Sequence, residues 1–204
     1  MKYSRDLIKK RAIFLDRDGT LNIEKHYLYK KEDLELIDGT VEAIKLCHDM
    51  GLAVIVVTNQ SGVARGYYKE QDVVALHEYL NEMLRMEVLR QFGQEILRPI
   101  DHFYYCPHHE EAVVEEYRKS CYCRKPNKGM IDAAVEDHKK RGIDLDLSQS
   151  IIVGDQESDI SLGISAGIGM KVLVRSGEYK GCISDTKADR VCEDLLEFIL
   201  SLRL

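Results

Sequence analysis

The chain has no apolar run long enough to cross a bilayer. Its longest uniformly aliphatic stretch is Leu52 to Val57, whereas a spanning helix needs about 20 such residues. The segment Met1 to Lys10 is charged and interrupted, so it lacks the apolar centre of a secretory signal, and a cytoplasmic location with no membrane partner is expected. There is no basic excess either. Thirty-five acidic residues against 29 basic ones give a net charge of −6, which argues against a broad nucleic-acid surface but leaves room for a local cationic pocket. Repeats, low-complexity tracts and linkers are absent, and prolines number only three. A length of 204 residues then fits one domain, 1–204. No gap is wide enough for a separate lid, so the mouth of any site should be open. No element offers an obvious self-association face, and a monomer is expected.

What is present is an ordinary globular balance, 45% hydrophobic and 31% charged, enough for a sizeable core. Ala12 to Leu15 is short, β-favouring and bounded by charge, as a buried strand should be. Thr40 to about Met50 carries one apolar stripe and predicts a helix, followed by the strand Leu52 to Val57, apolar on both faces. Lys69 to Gln91 predicts a long helix whose inward face holds Val73, Leu76, Leu80, Met83, Leu84 and Leu89, with Gly93 ending it. Ile100 to Tyr105 reads as a strand, Met130 to Lys140 as a helix and Ser150 to Asp155 as another buried strand. Ser158 to Ala166, Lys171 to Val174 and Leu195 to Leu202 complete the alternation as helix, strand and helix. Such alternation predicts an α/β fold with a doubly wound, mostly parallel, Rossmann-like sheet.

In such sheets ligands bind beyond the carboxyl ends of the strands. Three strand ends here carry chemistry: Asp16 with Asp18, Thr58 with Asn59, and Asp155 with Asp159. Two acids two residues apart on extended backbone point the same way. Like charges held together are costly without a cation between them or a shared proton, so the pair points to a metal-assisted site, against the blander reading of a solvated strand end.

Cys106-Pro107-His108 and Cys121-Tyr122-Cys123 place three thiols and an imidazole in one loop at about 106–123. That is a donor set for structural zinc, with redox-active or merely buried cysteines as the alternative. His108 is preferred to His109 because Cys-x-His matches Cys-x-Cys. Cys47, Cys182 and Cys192 lie apart and are expected only to pack. A clamped loop would aim the following Arg124 and Lys125 at a phosphate site.

Asp16-Arg17-Asp18-Gly19-Thr20, Thr58, Lys125-Pro126 and Gly154-Asp155-x-x-x-Asp159 resemble the four ordered motifs of the haloacid dehalogenase superfamily, and they span nearly the whole chain. The resemblance implies a capless, Mg²⁺-dependent phosphatase. Asp16 would be the nucleophile and Asp18 the general acid and base; Thr58 and Lys125 would meet the phosphoryl group. Mg²⁺ would be held by Asp16, the backbone carbonyl of Asp18, and Asp155, with Asp159 behind it. Phosphatases of this superfamily with such a zinc loop fall into two groups, acting on D-glycero-D-manno-heptose 1,7-bisphosphate at C7 or on histidinol phosphate. Thr58-Asn59-Gln60-Ser61-Gly62-Val63-Ala64-Arg65-Gly66 looks like the heptose group, which serves lipopolysaccharide or S-layer glycan synthesis. A neutral Ser61 beside Arg65 suits an anionic, polyhydroxylated sugar bisphosphate better than a cationic amino alcohol. The resemblance also assigns Glu24, Lys25, His26 and Tyr27 to a substrate loop, with Asn59, Gln60, Ser61, Arg65, Arg124 and Gln156 as further contacts. Gln156 departs from the heptose group's usual lysine and removes one contact to a second phosphate. The rival from another class is a silent zinc module that binds a protein or nucleic acid.

Overall fold

The computed structural model describes residues 7–179 and 185–202. Its main sheet has six parallel strands in the order β4-β3-β2-β6-β7-β8. These are β2 (Ala12–Leu15), β3 (Ala53–Asn59), β4 (His102–Cys106), β6 (Ile151–Gly154), β7 (Met170–Val174) and β8 (Arg190–Cys192). Along β2 and β3 successive side chains serve opposite layers, the period of two that extended backbone imposes. Ile13, Leu15, Val54 and Val56 pack with α1 (Thr40–Asp49), α2 (Glu70–Phe92) and α5 (Leu195–Ser201). Ala12, Phe14, Ala53, Ile55 and Val57 pack with α3 (Gly129–Lys140) and α4 (Glu157–Ala166). Helices therefore cover both faces of a wholly parallel sheet, and its central strands are apolar on both sides.

From β2 the chain builds outward through β3 and β4, then returns to β6 on the other side and builds outward again. The strand order reverses between β2 and β6, and the crevice at that reversal is where an α/β sheet binds its ligand. Asp16 and Asp155 are the residues that follow these two strands.

Two features depart from expectation. Ile8–Lys10 (β1) and Ile143–Leu145 (β5) form a separate two-stranded parallel sheet, and β8 extends the main one. Each has three residues, too few for any alternation to mark a strand, so its identity comes from its partner. Within α2, Val73, Leu76, Leu80, Leu84 and Val88 make the buried stripe; Leu89 is 41% exposed because it lies one residue past the inward position that Val88 takes. Cys47 is buried in the core and Cys192 is half-buried against it; Cys182 lies outside the described residues. Among the described residues no helix is long and apolar enough to cross a membrane.

The starts of the two central strands share one hydroxyl. Ser150 Oγ, 1% exposed, accepts from Ala12 N at 2.9 Å and donates to the Asp146 carbonyl at 2.7 Å. Ser150→Ala should leave that amide buried without an acceptor and cost about 1–3 kcal/mol, read from urea unfolding.

Candidate active site and metal centre

Asp16 follows β2 and is 7% exposed. Its backbone N–H donates to Val153 O at 2.9 Å, which pins the tip of β2 to β6. One carboxylate oxygen accepts from Arg17 N at 2.7 Å and the other lies 2.8 Å from Lys125 Nζ. The same ammonium is 2.7 Å from Asp159 Oδ1 and donates to Val57 O at 3.2 Å. Burial works against the charge on Lys125, but Asp159 and Asp16 more than offset it and hold the side chain protonated. The Lys125–Pro126 bond is cis.

Asp16, Asp155 and Asp159 each present a carboxylate oxygen within 4.8 Å of the others. Burial and then the charge of Asp16 push the Asp155 carboxyl well up. Its Oδ2 accepts from Glu178 N at 2.8 Å, while Oδ1 is buried with no hydrogen bond. The backbone closes around it: a Cβ on Gly19 would stand 2.5 Å from Asp155 Oδ2, and one on Gly177 only 2.0 Å away. An orphaned carboxylate oxygen beside a second acid, its ionisation opposed by burial and by that neighbour's charge, is what a divalent cation relieves, and hard oxygen donors suit Mg²⁺. The residues fit the ion. Both oxygens of Asp159 are engaged, one by Lys125 and the other by Gln156 N at 3.1 Å. That leaves Asp159 holding Lys125 from behind.

Asp18 does not join this group. Arg17, which has no exposed surface, forks onto it with Nε to Oδ1 at 3.1 Å and Nη2 to Oδ1 and Oδ2 at 3.0 and 2.8 Å. Asn22 and Gln60 each donate to it at 2.9 Å. Burial of Asp18 opposes its ionisation, yet the Arg17 charge and these hydrogen bonds prevail and bring its pKa below the usual carboxylate value.

The mouth is a cleft of about 220 Å³ lined by Asp18, Glu24, His26, Tyr27, Asn59, Gln60, Ser61, Tyr68, Arg124, Gln156 and Glu178. His26 and Tyr27 stand side by side with φ of 50° and 61°. Left-handed backbone at non-glycine residues costs about 1–3 kcal/mol each and persists where the surroundings enforce it, commonly at binding sites. Other expected contacts are placed differently. Lys25 turns to Glu35 at 3.1 Å, and the Arg65 guanidinium sits over the Tyr27 ring at 5.8 Å. Gln60 is 2% exposed and its amide is spent: it donates to Asp18 and Thr58 and accepts from Arg17 and Tyr68. It braces Asp18 and Thr58 from within the lining of the mouth. Asn59 exchanges hydrogen bonds with both backbone groups of Lys125, 3.1 Å to N and 3.5 Å to O.

Sequence reasoning passed over Arg17, His77, Tyr68 and Glu178. Only Arg17 left a signal, as a charged residue between two acids at the end of a buried strand. Glu178 accepts from the Gln156 amide at 3.2 Å and lies 3.6 Å from His26 Nδ1. The position where the heptose group carries lysine is thus paired with an acid.

Cys106, His108, Cys121 and Cys123 bring their donor atoms within 4.8 Å of one another, and His109 stands outside the set with its Nδ1 accepting from Glu111 N. His108 Nδ1 is 3.7 Å from Cys106 Sγ and 3.5 Å from Cys123 Sγ. Zinc bonds near 2.0 and 2.3 Å give tetrahedral edges of about 3.5 Å. Cys121 and Cys123 Sγ are closer, 2.7 Å, an edge that a bound metal would open. The donor set fits zinc.

Arg124 anchors on this loop through His108 O at 3.1 Å and reaches the mouth. A HAD-hydrolase-like family model matches residues 122–198. The D-glycero-beta-D-manno-heptose-1,7-bisphosphate 7-phosphatase of Haemophilus ducreyi is 38% identical over 190 residues, 93% of this chain and 97% of that one. Its namesake from Escherichia coli K12 is 38% identical over 91% of this chain and 90% of that one. Among solved structures, the D,D-heptose 1,7-bisphosphate phosphatase of B. bronchiseptica, complexed with magnesium and phosphate, superposes with a TM-score of 0.75 at 25% identity, covering 95% of this chain and 98% of that one. The likeness to proteins named as phosphatases runs along almost the entire length, and the silent zinc module is set aside. The chain belongs to the family of haloacid-dehalogenase-like phosphatases that contains these heptose bisphosphate enzymes.

Proposed function

We propose that the chain removes the C7 phosphate of D-glycero-D-manno-heptose 1,7-bisphosphate by way of an aspartyl phosphate on Asp16. The observation that carries this reading is the Lys125 ammonium held between Asp16 and Asp159, which sets a fixed positive charge against the carboxylate that would attack phosphorus. Asp16 and Asp155, with the Asp18 carbonyl, would hold Mg²⁺, whose charge lets an anionic ester approach an anionic nucleophile. Asp16 attacks phosphorus, and Thr58 and Lys125 take up the charge on the phosphoryl oxygens. Asp18, ionised at rest, would take the proton of the monoanionic ester and give it to the departing sugar oxygen, then take one from the water that cleaves the aspartyl phosphate. On this reading the chain is a single capless domain working as a monomer in the cytoplasm.

The second phosphate would meet Arg124, because Gln156 in the same cleft is tied to Glu178. Each charge-assisted hydrogen bond it makes is worth about 1.5–3 kcal/mol, or roughly 10–100-fold in kcat/KM. Steady-state assays should therefore favour heptose bisphosphate over histidinol phosphate by about 100-fold or more. The converse preference would select the second reading, which has its own observation: Glu24 and Glu178 line the mouth and would suit the ammonium of histidinol phosphate.

Zinc at Cys106, His108, Cys121 and Cys123 is the second metal of the proposal. Elemental analysis should find about one zinc per chain. Stripping it with a thiol-reactive reagent and chelator should expose 106–123 to protease and slow turnover even after Mg²⁺ is restored, since Arg124 then loses its anchor. Protein purified without chelator and free of zinc would remove this part.

A further inference from the structure

We propose that Arg17, backed by His77, is a positioning residue that keeps the two acids after β2 in separate roles, holding Asp18 for proton transfer and away from the carboxylates around Lys125. The inference rests on the reading of Asp18 as general acid and base.

Side chains two apart on a strand point the same way, so both acids would reach one place if β2 ran on, but it ends at Leu15 and the chain bends at Arg17. In the structure only Asp16 joins Asp155 and Asp159. The bend takes Asp18 off the strand, and the fully buried Arg17 guanidinium grips both its oxygens while Asp18 remains at the mouth. Nη2 also lies 3.2 Å from Leu28 O and from Gln60 Oε1, and Nη1 is 3.3 Å from His77 Nε2. Arginine keeps its protons, so His77 must be the acceptor and its ring neutral. Burial and then the Arg17 charge lower its pKa to about 3, in agreement. The imidazole cannot swing away. It lies flat on Phe103, ring centroids 4.5 Å apart and planes 13° from parallel, and Tyr105 abuts it edge-on. Behind it opens a 430 Å³ cavity between α2 and β4, far from the acids around Lys125. A chain of contacts thus runs from the edge strand through His77 and Arg17 to the carboxyl of Asp18.

The step that depends on it balances simply. Asp18, ionised at rest, first takes the proton of the monoanionic phosphate ester; as the P–O bond breaks, its electron pair goes to the leaving oxygen and that proton joins it, and the attacking water later returns a proton to Asp18. A leaving group stable as an anion needs no such proton. The test compares release of p-nitrophenol and of phenol from their phosphate monoesters in single turnovers of the Mg²⁺-loaded protein. Phenol is the more basic leaving group. Arg17→Lys keeps the charge but not the fork. It should leave p-nitrophenol release within about threefold of the unaltered protein while slowing phenol release by about 100-fold, the scale of general acid catalysis. Asp18→Asn should show the same asymmetry. His77→Leu should slow phenol release about tenfold, and His77→Gln, whose amide oxygen can accept from Arg17 again, should restore it to within about threefold.

Equal slowing of both esters by Arg17→Lys, or no slowing, overturns the proposal. If Arg17→Lys does not fold, the His77 pair decides, and equal rates for His77→Leu and His77→Gln overturn it. If Asp18→Asn shows no asymmetry, it is the reading of Asp18 that fails.

Discussion

Asp16→Asn should lower turnover by about 10⁴- to 10⁶-fold, the scale on which losing a covalent nucleophile is felt. An amide in the same place cannot attack phosphorus or carry the phosphoryl group, and no neighbour can replace it. Asp159 is held by Lys125 and Gln156 N, Asp155 by Glu178 N and Asp18 by Arg17. The fold should not suffer. Asp16 is one of three acids sharing one ammonium, so its neutralisation relieves repulsion, and thermal unfolding without added divalent ions should stay within about 1 kcal/mol of the unaltered protein or improve on it. Near-normal activity would remove Asp16 from the role of nucleophile. Inactivity with a collapsed melting transition would leave that role unsupported by this variant.

Lys125→Met should cost activity and stability together, and a divalent ion should separate the two. Losing one preorganised donor to a transition-state charge costs about 10²- to 10³-fold in kcat. The side chain is 2% exposed and faces Asp16 and Asp159, so its removal from metal-free protein strands buried charge at about 3–5 kcal/mol. Burial and like charge already raise Asp155, to about 7. A carboxyl whose folded pKa is raised supports stability below its ordinary pKa and withdraws that support as pH rises through the folded value. The metal-free variant should therefore melt higher near pH 5 than near pH 8, and the unaltered protein should show the same slope more weakly. Mg²⁺ should restore the melting temperature of Lys125→Met without restoring its rate. If Mg²⁺ also recovers kcat, Lys125 is a counterion in the resting protein and not a participant in phosphoryl transfer.

Much of this arrangement could be read before any coordinates. The acids at the ends of Ala12–Leu15 and Ile151–Gly154 betray themselves by following apolar runs, and α1 to α5 each carry a stripe or a stop signal in their own residues. The thiol and imidazole donors are close in sequence, so spacing alone groups them. What stayed hidden depends on partners distant in the chain. Ile8–Lys10 is a strand because Ile143–Leu145 lies beside it. Gln60 is a brace because Asp18, Thr58, Arg17 and Tyr68 all converge on its amide. Glu178 follows no motif and reaches the site through a backbone N–H, which no side-chain pattern can announce.

The paired hydrogen bonds from Asn59 to the backbone of Lys125 have a mechanical consequence. They rivet the tip of β3 to the segment that descends from the cysteine loop, so the two move as one lever. Under the role proposed for Lys125, loosening the soft-donor cluster should displace its ammonium, and oxidation of the half-buried thiols of Cys121 and Cys123 should slow turnover at the sheet's centre.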